Sequence, residues 1–85
     1  MVVLLEDNDG SVRARIAKDL ALFSESIGSI DTSRLKGSSK VLDLARMYAS
    51  DSRSFMEKGD LYTSFSAIAY AHGLLDAIKL VLEDA

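Results

Sequence analysis

The sequence predicts an all-α fold, an antiparallel up-and-down three-helix bundle, on three observations. Proline is absent from all 85 residues, which favours long uninterrupted helices. Apolar residues recur at spacings of three and four, the helical period. Two polar, glycine-containing breaks, at 28–38 and 57–60, divide the chain into three such stretches.

The opening MVVLLEDNDG imitates the first strand of a response-regulator receiver. No later stretch alternates with the strand period of two, so the strands that would carry such a site are missing. Residues 1–8 are therefore expected as a frayed arm, or as a short extension packed on the bundle, within a single domain spanning 1–85. The first helix should start near Asp9 or Ser11, either of which can cap it. Val12, Ile16, Leu20, Phe23 and Ile27 then form a stripe within an arc of about 80° that faces the core. Leu22 lies off this stripe and is a candidate partner contact. Gly28 can end the helix with a positive φ.

The connection GSIDTSRLKGS is long for a helix hairpin, so part of it should form a helical turn, anchored by Ile30 and Leu35. The second helix is expected over Ser39–Lys58, with Val41, Leu44, Ala45, Tyr48, Ser52, Phe55 and Met56 on one side. Asp43, Arg46, Ser50, Arg53 and Ser54 form the solvated side. Gly59 can close this helix in a left-handed conformation and Asp60 can cap the next one. So short a turn makes the two helices antiparallel neighbours.

The third helix is expected over Asp60–Glu83, burying Leu61, Phe65 and Ile68 in its first half. Ser66, Ala69, Gly73 and Ala77 form a seam of small side chains suited to close approach by a neighbouring backbone. Gly73 costs about 1 kcal/mol relative to Ala within a helix, and close contact would explain it. The helix is apolar around most of its circumference, so a further covering, such as another subunit, is expected over Leu74, Ile78 and Val81. The 48% hydrophobic content points the same way.

One polar line runs along this helix: His72, Asp76, Lys79 and Glu83. Asp76, four residues after His72, could orient or charge the imidazole, and Tyr70 could add a hydroxyl, giving a small-ligand or catalytic site. The competing structural account is a half-buried histidine pinned by its neighbour and packed on a tyrosine. No catalytic residue can be assigned, because no nucleophile elbow, phosphate loop or acid–base carboxylate pattern accompanies His72. A single histidine and no cysteine fall short of a zinc site, and no cofactor motif is present.

Net charge is −3, distributed as −3 over 1–31, +3 over 32–59 and −3 over 60–85. This balance disfavours nucleic-acid binding; Arg46 and Arg53 would be its only plausible anchor. No leader peptide is visible, and Asp76 interrupts the most apolar stretch before it reaches about 18 uncharged residues. The expectation is a cytoplasmic, membrane-free, non-enzymatic interaction module without a cofactor. Its partner would be a second copy or another protein.

The stretch from Leu44 to Ala77 resembles an archaeal family known as domain of unknown function 357. The resemblance rests on Ala45 and Tyr48, Asp51, Phe55, the EKGD turn at 57–60, Phe65-x-x-Ile68 and Tyr70-Ala71-His72-Gly73-x-x-Asp76-Ala77. It implies a small intracellular helical bundle of archaeal origin and no activity. Ser64 stands where that family tends to have Ala. The HEPN ribonucleases need an Arg five to seven positions before their His, where this chain has Phe65, Ser66 and Ala67.

Overall fold

The computed structural model describes the backbone of residues 2–84 and the side chains of residues 10–83 other than Ser38. Helix α1 spans Val2–Gly28, α2 spans Ser39–Glu57 and α3 spans Leu61–Asp84. Two short 3-10 turns, Thr32–Arg34 and Lys36–Ser38, occupy the long connection. No strand occurs among the described residues.

Helix directions follow from which residues meet. Ser52 meets Ser64 and Tyr48 meets Tyr70, so α2 and α3 run in opposite directions. Asp19 meets His72 and Ser26 meets Lys79, so α1 and α3 run the same way. This is the up-down-up order of a three-helix bundle. The α2–α3 pair is the most extensive, and α1 rests chiefly on α3.

Helix α1 begins at Val2, ahead of the expected start, so neither Asp9 nor Ser11 is its cap. Residues 2–8 continue α1, and whether they pack on the bundle rests on side chains outside the described ones. Ile16, Leu20 and Phe23 are buried as the stripe requires, with Val12 and Ile27 half-buried at its ends. Gly28 ends α1 without the left-handed conformation, which belongs to Gly59 alone among the described glycines. Leu35 is buried and anchors the connection, and Asp31 caps the first 3-10 turn by accepting from the Ser33 N–H at 3.1 Å.

The α2–α3 turn forms as the sequence predicts. Gly59 has φ 86°, and the Gly59 and Asp60 N–H groups bond to Met56 O at 3.0 Å and Phe55 O at 2.9 Å, a Schellman closure. The Asp60 carboxylate accepts from the Thr63 N–H at 3.2 Å and caps α3. Two arginines serve the opposite helix ends. Arg13 donates to Met56 O at 3.4 Å and Arg34 to Leu82 O at 2.8 Å, each placing positive charge at a carbonyl-rich terminus.

The buried side of α2 is rotated from the expected one. Leu42 and Ala49 are in the core, whereas Leu44 is exposed. Small residues Ala45, Ala49 and Ser52 let α3 approach closely, and that approach selects their side. In α3 the buried line is Ser64, Ile68, Ala71, Leu75 and Ile78. Fully burying Ile68 or Leu75 contributes about 1.5–3 kcal/mol each. Phe65, expected inside, sits on the rim.

Candidate functional site

Two serines at the same level of α2 and α3 are completely buried. Ser52 Oγ donates to Ser64 O at 2.8 Å, and Ser64 Oγ donates to Ser52 O at 2.6 Å. Each hydroxyl has one proton, so the 3.1 Å approach of the two oxygens is a contact and not a third bond. The pair is a reciprocal clamp between backbones. Both hydroxyls are satisfied and shielded, so neither is available as a nucleophile.

His72 is half-buried between α1 and α3. Its Nε2 lies 2.8 Å from Asp19 O. A carbonyl can only accept, so Nε2 carries the proton. The ring meets Phe23 edge-on, with centroids 5.7 Å apart. The histidine is pinned, but by a carbonyl of another helix and a phenylalanine, where its own-helix neighbour and a tyrosine were expected. Asp76 is exposed and makes no hydrogen bond to the ring. Tyr70 lies on the other flank of α3, tilted against Tyr48 at 4.6 Å. The three candidate ligand residues therefore do not converge. Lys79 continues the polar line by donating to Ser26 Oγ. Of this line, His72 and Lys79 hold α1 on α3, while Asp76 and Glu83 are exposed.

Neither His72 nor Asp76 lines any of three open clefts on the surface of the described residues. One of them, about 580 Å³, is apolar and lies between Val12 and the Leu61–Phe65 turn of α3. A second, about 290 Å³, runs beside Tyr48, Phe55 and Tyr70. Among the described residues no three acidic or histidine side chains gather as a metal site would require. Arg46 is paired with Asp43 at 3.5 Å, which reduces the basic character of the α2 face that includes Arg53.

A helix face is also uncovered. Tyr62, Ser66, Ala69, Gly73, Ala77 and Leu80 are all exposed and share one side of α3. The small-residue seam thus points outward, and a Cβ added at Gly73 would meet nothing within 4 Å. Among the described residues no close neighbour covers this seam, contrary to the expectation. Among the described residues, α3 is the one helix long and apolar enough by length and composition to cross a membrane, and only 28% of its most apolar window is buried.

The expected interface residues divide accordingly. Leu22 is 45% exposed on α1 and Val81 is 56% exposed on α3. Leu74 is half-buried against the core. Ile78 is 2% exposed, because it is on the inner line with Ala71 and Leu75, and it cannot meet a partner. Tyr62, Phe65 and Leu80 were missed. The signal for them was Asp76, whose charge marks the solvent side of an otherwise apolar helix, close to Ala69, Gly73 and Leu80.

The model of a family described as protein of unknown function (DUF357) matches residues 18–81, about three quarters of the chain. No curated protein and no solved structure matches it.

Proposed function

Because the chain belongs to the DUF357 family, whose description brings no activity with it, we propose a function from its own surface: a non-enzymatic helical module that binds protein through the uncovered face of α3. The exposure of that face carries the reading. Helix α3 holds the most apolar stretch of the chain, yet its Tyr62, Ala69, Gly73, Ala77 and Leu80 side faces outward. Contiguous exposed apolar surface of this kind marks interaction sites. The aromatic residues on its edges, Tyr62, Phe65 and Tyr70, are the types enriched at protein interfaces. A catalytic or small-ligand site at His72 and Asp76 has less support, since the imidazole is engaged with Asp19 O and Phe23 and neither residue lines the three clefts described above.

A photoreactive residue placed at Ser66, on this face, should give protein adducts in cells. The same residue at Ser50, on the solvated side of α2, should not. Equal yields at both positions, or none at either, would sink the interaction reading.

A further inference from the structure

We propose that the α3 face seats a second copy of itself, antiparallel and centred on Gly73. The inference rests on the interaction reading above and names the partner. Its first support is the steric profile of the face. Small residues, Ser66, Ala69, Gly73 and Ala77, occupy the middle. Large ones stand at both ends: Tyr62 and Phe65 before them, Leu80 and Val81 after them. A two-fold axis through Gly73 brings residues equally far before and after it to one level. The small middles then meet, and the large end of each copy covers the opposite large end of the other.

The second support is area. Tyr62, Phe65, Tyr70, Leu80 and Val81 are 86, 40, 53, 62 and 56% exposed. Together they present about 600 Å² before pairing, the upper limit of what they could bury and close to the lower range of about 600 Å² per partner seen in stable interfaces. Charge is the third. Asp76 and Glu83 flank this face on one side, with Asp51 of α2 lining the cleft beside Ser66 and Tyr70 on the other, and in the antiparallel arrangement Asp76 lies level with the partner's Ala69 turn. A parallel pair would instead bring Asp76 level with its own copy, and Glu83 likewise, placing like charges together. The arrangement also accounts for Gly73. Among the described residues nothing lies within 4 Å of a Cβ added there, whereas a mate at this level would bring a backbone close.

Sedimentation of the full chain tests the pairing, and cysteine scanning tests its register, since the natural chain has no Cys. The wild type should sediment as a dimer, and Ala69→Glu should be monomeric with unchanged helical circular dichroism. Mixed Ala69→Cys and Ala77→Cys chains should form the 69–77 disulfide faster than either forms its own homodisulfide. In the proposed register a residue 77 pair is separated by about 12 Å along the axis. Gly73→Cys should link to itself, and Ser50→Cys should not. A wild type that stays monomeric at every concentration overturns the pairing, as does faster self-linking at Ala77. If the chain is monomeric but Ser66 adducts to another protein persist, only the second-copy inference fails. If both are absent, the interaction reading fails with it. Flotation of the chain with phospholipid vesicles, abolished by Ala69→Glu, would overturn both in favour of a membrane surface.

Discussion

The Ser52–Ser64 clamp shows how a single hydroxyl can decide where a helix face turns. Both carbonyls it uses lie within helices, so loss of one hydroxyl leaves no buried acceptor stranded. Ser64→Ala should therefore cost only about 0.5–1.5 kcal/mol in urea unfolding. Ser64→Val should cost more, about 1–3 kcal/mol, because its methyls force the backbones apart. Equal effects of the two substitutions would show that the close approach is not sustained by the serines. Gly73 should respond in the other direction. Its added Cβ meets nothing within the chain, so Gly73→Ala should raise stability by up to about 1 kcal/mol at concentrations where the chain is monomeric. A loss there would mean that the monomer already needs the glycine. Asp60 supplies a pH signature. The Thr63 side chain and backbone N–H hold its carboxyl below the ordinary value of 3.8. A carboxyl depressed on folding stabilises the fold above its unfolded value, and that contribution disappears as pH falls through the folded value. The melting-temperature gap between wild type and Asp60→Ala should thus be present at pH 7 and shrink below about pH 4. A gap independent of pH would place the effect outside the charge of the cap.

Among the elements, what could be read in advance was set by local chemistry. The α2–α3 turn was legible because Gly59 and Asp60 act within a few residues of one another. The α1 stripe was legible because charged residues flank it and leave one apolar arc. The solvated row of α2 was legible for the same reason. Helix α3 was not, since apolar residues surround it and the period alone does not say which arc is inside. Its inner line is chosen by Ser52 and the alanines of α2 opposite it, and those contacts are tertiary. The same ambiguity reversed the small-residue seam and moved Ile78 from the expected interface to the core. His72 was correctly legible as a half-buried side chain, but its partner, a carbonyl of α1, leaves no trace in side-chain spacing. At this scale His72→Ala should lower stability by about 1–3 kcal/mol through the lost bond to α1 and the lost packing on Phe23. His72→Gln, which can still donate, should recover part of that loss. Equal loss in both would assign the effect to packing on Phe23 alone.

For the whole molecule, the two kinds of helix contact differ in their sequence separation. The serine clamp joins residues 12 apart, whereas the bond from His72 to Asp19 O joins residues 53 apart. Closing the short loop costs less chain entropy, so the hairpin of α2 and α3 should be structured before α1 arrives. Helix α1 is also held chiefly by one neighbour. Native-state hydrogen exchange should find the amides around Ser52 and Ser64 opening only with global unfolding, and those of residues 12–27 opening at lower free energy. Identical opening energies throughout would make the bundle a single cooperative unit. The shared direction of α1 and α3 thus has a meaning in time as well as in space. On the expected order α1 is the last helix to dock and the first to leave, and each departure would bare the Ile16, Leu20 and Phe23 stripe, which is buried in the folded bundle.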